Sequence, residues 1–192
     1  KKCIIGLENR NKRLCQMERK ISHICFLVMD VDGTLTDGKI YMGQEGELFK
    51  AFDIKDGYAI KEMLPTMGII PVVITARESQ IVAHRCQELG IIELHQGCRD
   101  KIGKLKEILK LYGQKDGMVY GLSSVAYVGD DLLDLQCIEP ISQNGGFTAC
   151  PADAVDEVKE AVDYICKQNA GNGAVRELIN ELMCSEATWK NQ

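Results

Sequence analysis

The sequence has no C-x-x-C pair, no apolar run approaching membrane-spanning length, and no cluster of positive charge outside its first residues. Each absence removes a class of protein. Nine cysteines, at 3, 15, 25, 86, 98, 137, 150, 166 and 184, are scattered and odd in number. Cys25, Cys86 and Cys166 fall within apolar patterns, so the thiols read as reduced core-fillers of a cytosolic protein, not a disulfide framework or zinc site. Without about twenty consecutive apolar residues no membrane-spanning helix is expected. The start of the sequence, which lacks Met, does not read as a signal peptide. Residues 1–22 carry seven Lys or Arg against Glu8 and Glu18, a balance of +5 in a chain of net charge -5, which leaves the remainder at -10. A body that acidic makes a poor nucleic-acid surface. The basic start reads more simply as a solvated helix face.

A chain of 192 residues with 45% hydrophobic content can bury one good core, and it shows no repeat, low-complexity tract or linker. One domain over 1–192 is therefore expected. Leu7, Leu14, Met17 and Ile21 fall at helical spacing, which predicts an amphipathic helix over 1–22. Two short β-prone runs around Gly43-Gln44-Glu45-Gly46 predict a hairpin over 39–52. A helix capped by Asp56 is expected from near Gly57, carrying Ala59, Ile60, Met63 and Leu64. Apolar runs at 24–29, 69–74, 91–94, 125–129, 146–149 and 164–165 predict strands. Helices are expected over 78–89, 101–111 and 155–162, with a last one in the tail at 171–192. Strands lacking polar alternation, separated by helices, predict a Rossmann-like α/β fold with a doubly wound parallel sheet and the hairpin as an insertion.

Polar residues collect where such sheets bind ligands, at the carboxyl ends of the strands: Asp30, Asp32, Thr75, Arg77, Asp130 and Asp131. The run at Val28-Met29-Asp30-Val31-Asp32-Gly33 is the strongest signal. A buried strand delivers two carboxylates two residues apart, and Gly33 permits a tight turn and close backbone approach. Carboxylates that close repel unless a cation lies between them or one is protonated, which points to a divalent metal and phosphate chemistry. Bland alternatives exist for each residue. Asp30 and Asp32 can serve as turn caps, Thr75 as the cap of a helix near Glu78, and Arg77 as a surface residue. Lys101 competes with Lys104 and Lys106 on the same helix. His23, His84 and His95 lack ligand-like spacing.

The D-x-D-G-T-L-T run at Asp30 to Thr36, the strand ending in Thr75, Lys101 in a following helix, and G-D-D-x-x-D at Gly129 to Asp134 resemble, in order, the four motifs of the haloacid dehalogenase superfamily of phosphatases. Lys55-Asp56-Gly57-Tyr58, Thr75-Ala76-Arg77, Gln96-Gly97 and Gly173-Ala174-Val175-Arg176 narrow the resemblance to its capless subgroup acting on phosphorylated keto sugar acids. That resemblance implies a Mg²⁺-dependent cytoplasmic phosphatase of lipopolysaccharide biosynthesis with no cap domain. Asp30 would be the nucleophile, Asp32 the acid/base, and Thr75 and Lys101 the phosphoryl ligands. An Asp30 oxygen, the Asp32 carbonyl and Asp130 would hold the metal. Asp131 would orient Lys101 or a metal-bound water, with Asp134 in a supporting role. Lys55, Asp56, Gly57, Ala76 and Arg77 would bind substrate. The hairpin would join four copies into a homotetramer, burying Tyr41, Phe49 and Phe52. An octulosonate 8-phosphate is the first expectation for substrate. Gly171-Asn172-Gly173, where Gly-Arg-Gly is usual, keeps a nine-carbon sialic-type acid 9-phosphate open. A non-catalytic assembly domain of a sugar-acid cytidylyltransferase is the further alternative.

Overall fold

Each apolar run forms a strand whose side chains alternate between two covered faces, and the sheet is built from that alternation. The computed structural model describes residues 20–190, with side chains to Cys184. The helix expected over 1–22 therefore lies almost wholly outside the described residues. Six parallel strands stand in the order β5-β4-β1-β6-β7-β8: β1 (Phe26–Met29), β4 (Ile70–Ile74), β5 (Glu93–His95), β6 (Val125–Val128), β7 (Phe147–Cys150) and β8 (Tyr164–Ile165). β1 is central, with Phe26 in register with both Ile70 and Val125.

Leu27, Met29, Val73, Ala126 and Val128 pack on one face against Ile60, Leu64, Val82, Leu89 and the tail residues Val175, Leu178, Ile179 and Leu182. Phe26, Val28, Val72, Ile74, Val125 and Tyr127 face the opposite way, against Leu105, Ile108, Leu109, Ile138, Ile141 and Val158. Burial of each such side chain contributes about 1.5–3 kcal/mol, which fixes strand register because a slip of one residue would exchange the two faces.

The flanking helices are α1 (Ile54–Tyr58), α2 (Leu64–Met67), α3 (Gln80–Leu89), α4 (Lys101–Asp116), α5 (Leu135–Gln143), α6 (Asp156–Ala161) and α7 (Ala174–Lys190), with a π-helical turn at Ala59–Met63 joining α1 to α2. The first helix starts earlier than the sequence predicts: Asp53, not Asp56, caps it, accepting from the Lys55 and Asp56 amides. The sequence reading places no element at α5, a helix with Pro140 inside it, yet Cys137, Ile138 and Ile141 bury a helical face there. The hairpin forms as expected, from β2 (Tyr41–Gly43) and β3 (Gly46–Phe49), as a separate two-stranded sheet.

The chain winds outward from β1 to β4 and β5, then returns to the other side of β1 for β6. Loops leaving β1 and β6 diverge at that point, opening the crevice in which open α/β sheets bind ligands.

Candidate active site

Asp30 follows the last residue of β1 and its amide donates to the Val128 carbonyl at 3.1 Å, so the ladder itself sets the carboxylate at the crevice. Lys101, the first residue of α4, lies buried across from it, with Nζ 2.8 Å from Asp30 Oδ1 and 2.7 Å from Asp134 Oδ1. Asp100 caps α4 on the Gly103 amide, and the Lys101 amide donates to Gln136 Oε1 at 2.8 Å. Lys104 is turned out to Glu107, so burial sets Lys101 apart from it on the same helix.

Asp134 is the most fully bonded carboxylate of the crevice. Oδ1 accepts from Lys101 and, at 2.6 Å, from the Tyr127 hydroxyl; Oδ2 accepts from the Asp130 and Asp131 amides at 3.0 and 3.2 Å. Asp131 faces outward and caps the Leu132 amide. Of the two roles expected of Asp131, the contact with Lys101 is made by Asp134, while Asp131 Oδ1 caps the turn. Asp130 accepts from the Thr34 hydroxyl at 3.0 Å. A Cβ at Gly33 would lie 2.0 Å from Asp130 Oδ2, and φ there is +91°, so only glycine allows the two motifs to meet. A Cβ at Gly129 would likewise fall 2.3 Å from Asp134 Cγ.

Carboxylate oxygens of Asp30, Asp130 and Asp134 lie within 4.8 Å of one another. Burial, then the charge of Asp134, raises the Asp30 carboxyl to about 6 despite the nearby Lys101. Burial, then Asp30 and Asp134, raises Asp130 to about 7. For Lys101 burial acts in the opposite direction, but Asp30 and Asp134 hold its ammonium above the ordinary value. Asp134 has both oxygens committed, so the carboxylates with an uncommitted oxygen are Asp30 and Asp130. Oxygen donors crowded in this way fit a hard divalent cation such as Mg²⁺.

The Asp32 carboxylate is turned away from that group. Lys50, from the strand end of the hairpin, pairs with it directly and with Glu47 at 2.9 Å. Arg77 Nε lies 3.6 Å from Asp32 and its Nη2 3.4 Å from Glu47, while the Ser79 hydroxyl donates to Glu47 at 2.5 Å. Two neighbouring acids therefore occupy different surroundings, one beside a buried lysine and acidic partners, the other at the base of a hairpin.

Thr75 is buried at the end of β4, its backbone pinned to His95 and Cys98. It does not cap α3, which starts at Gln80 after Ser79. Ala76 and Arg77 sit in the bend that follows. The rest of the predicted substrate set lies elsewhere within this chain. Asp56 is buried and accepts from the Arg176 amide at 2.6 Å, anchoring the start of α7. Gly57 is covered by the Arg85 guanidinium. Lys55 borders a separate polar cleft of about 380 Å³ with Lys167, Asn172 and Arg176. Within this chain capping and packing hold Asp56 and Gly57 in place. Phe52, expected in a subunit interface, already packs against its own core with Arg85 over its ring at 5.7 Å. Sequence reasoning missed Thr34, Glu47, Lys50, Ser79 and Tyr127. Thr34 was legible in the Gly-Thr that follows the Asp pair; Lys50 had no local signal, since its partner Asp32 is reached only by folding the hairpin back.

No family model matches the chain. Over 167 residues it is 38% identical to 3-deoxy-D-manno-octulosonate 8-phosphate phosphatase KdsC of Salmonella typhi, covering 87% of this chain and 83% of that protein. The chain belongs to the KdsC phosphatase family, within the haloacid dehalogenase superfamily. Solved KdsC structures carry the same fold. The Moraxella catarrhalis 3-deoxy-D-manno-octulosonate 8-phosphate phosphatase, in complex with magnesium ion, phosphate ion and KDO, superposes with a TM-score of 0.79 at 35% identity, covering 92% of this chain and 95% of that one. The Yersinia pestis enzyme gives 0.80 at 34% identity, covering 90% and 87%.

Proposed function

We propose that the protein is a Mg²⁺-dependent phosphatase that hydrolyses 3-deoxy-D-manno-octulosonate 8-phosphate, through an aspartyl-phosphate on Asp30, within lipopolysaccharide biosynthesis. The observation that carries this reading is the division of labour between Asp30 and Asp32. Environments that separate two neighbouring acids are the usual mark of distinct catalytic roles. Asp30, steered by Lys101, attacks phosphorus with its free oxygen, so the displacement is split into two steps. Asp32, at the hairpin base, gives a proton to the departing sugar oxygen and later takes one from the hydrolytic water. Lys101 and Thr75 hold the equatorial phosphoryl oxygens, with Asp134 and Tyr127 keeping Lys101 in place. Asp30, Asp130 and the Asp32 carbonyl would hold Mg²⁺, which neutralises phosphoryl charge when bound. Arg77, half exposed beside Asp32, suits the carboxylate of the sugar acid. Lys55 remains available to a substrate bound by a neighbouring copy.

The exposed hairpin residues Ile40, Met42, Leu48 and Phe49 support a homotetramer closed through the hairpins, in place of a cap. Light scattering that returns a fully active monomer would reject that assembly. Among the described residues Cys86, Cys137, Cys150 and Cys166 are buried and no helix is long and apolar enough to cross a membrane. The chain is read as a single cytoplasmic domain on its family likeness. The test of function is phosphate release, assayed in parallel on the octulosonate 8-phosphate and on nine-carbon acid 9-phosphates and compared by kcat/KM. Turnover should require Mg²⁺, favour the eight-carbon substrate and vanish in Asp30→Asn. Absence of turnover on every sugar acid phosphate would leave the assembly role instead.

A further inference from the structure

Glu47 projects from the hairpin across 32 residues of sequence to accept from Ser79, and the same carboxylate meets Lys50 and Arg77. One carboxylate thus sits among a hydroxyl, a buried ammonium and a guanidinium, immediately beside Asp32. That donor set is what a bound carboxylate ligand requires. We propose that Glu47 is a specificity-determining residue that occupies, in the free enzyme, the position taken by the carboxylate of the substrate, and gives way when the substrate binds.

Three features point to an exchangeable occupant over a permanent clamp. Of the contacts Glu47 makes, that with Arg77 is the longest, 3.4 Å against 2.9 Å to Lys50 and 2.5 Å to Ser79, and it exceeds the 2.7–2.9 Å of a settled charge-assisted bond. The Arg77 side chain is 41% exposed, so an incoming anion can reach it. Glu47 rides on a two-stranded hairpin separate from the main sheet, so its carboxylate is placed by side-chain bonds and not by the six-stranded ladder. Exchange also conserves charge. Lys50 keeps Asp32 when Glu47 leaves, so two cations still face two carboxylates with the substrate acid in the second place. A phosphate ester without a carboxylate has nothing to offer Arg77 in return for displacing Glu47. The residue would therefore discriminate between sugar acids and ordinary sugar phosphates.

This inference rests on the sugar-acid phosphatase reading, and the experiment separates the two. Wild type, Glu47→Gln and Glu47→Asp are assayed on octulosonate 8-phosphate and on the carboxylate-free arabinose 5-phosphate, with the free sugar acid and inorganic phosphate as inhibitors. An internal occupant lowers apparent affinity by the fraction of time it is seated. Its removal in Glu47→Gln should lower KM for the 8-phosphate, and the inhibition constant of the free sugar acid, by about 3–10-fold. Inorganic phosphate should be affected less, and Glu47→Asp, one methylene shorter, should fall between. An 8-phosphate KM that rises, or kcat/KM falling by one factor on both substrates, would overturn the inference in favour of a clamp. Failure of wild type to act on any sugar acid phosphate would overturn the underlying reading instead.

Discussion

The two carboxylates of the Asp-x-Asp turn are anchored by opposite kinds of structure. Asp30 belongs to a group built from strand ends and a helix start, in which Lys101 and Asp134 are nearly fully buried and every bond runs between 2.6 and 3.2 Å. Asp32 belongs to a group hung on a hairpin, with a buried lysine but an exposed arginine at looser distances. The lesson is one of tolerance. On the proposed mechanism Asp30 must meet phosphorus in line and gains from a rigid seat, whereas Asp32 and Arg77 would face the sugar and can be placed by a separate element.

The largest break in that comparison should come from Asp30→Asn. It removes the attacking oxygen while leaving Lys101 paired with Asp134, so phosphate release should fall by at least about a thousandfold with the fold intact by circular dichroism. Lys101→Met should be nearly as damaging, with kcat down about a hundredfold or more, and it should also cost stability. Asp134 and Asp30 would be left buried without their cation, a loss of about 3–5 kcal/mol readable by urea unfolding. Lys50→Met tests the hairpin side. It should lower kcat about tenfold to a hundredfold, with a smaller stability loss than Lys101→Met, since Arg77 remains near both of its acidic partners. Equal stability losses for the two lysines would erase the proposed difference in rigidity.

The same contrast explains what could be read from the sequence. Asp30, Asp32, Lys101 and Asp130 were legible because each stands at a strand or helix terminus, where local pattern fixes position. The six strands were legible for the same reason. Asp56 misled because its type and place before Gly57 suit a helix cap, while its use was decided by α7, 120 residues away. Lys50 and Glu47 were silent because their meaning depends on how the hairpin lies over the crevice. Helix α5, which the sequence reading passed over, carries Pro140 inside it, a cost offset by burial of Cys137, Ile138 and Ile141.

The smallest expected effect is thermodynamic and isolates the rigid group. Asp30 and Asp130 are raised from 3.8 to about 6 and about 7, so the folded chain binds protons that the unfolded chain has released. Stability contributed by these groups is greatest below about pH 4 and is lost as pH rises through 6 and 7. In EDTA the melting temperature should therefore drop between pH 5 and pH 8, by about 5 °C. Asp130→Asn should flatten that slope, because it removes one titrating group and lessens the repulsion on the other. If the ionised pair holds Mg²⁺ as proposed, the ion should restore the pH 8 value in wild type and should do little in Asp130→Asn. Glu47→Gln should keep the wild-type slope, its hairpin group lying apart from the paired carboxylates. A slope that disappears in Glu47→Gln would mean the two groups titrate as one, and that the rigid and yielding sides of the crevice are energetically a single unit.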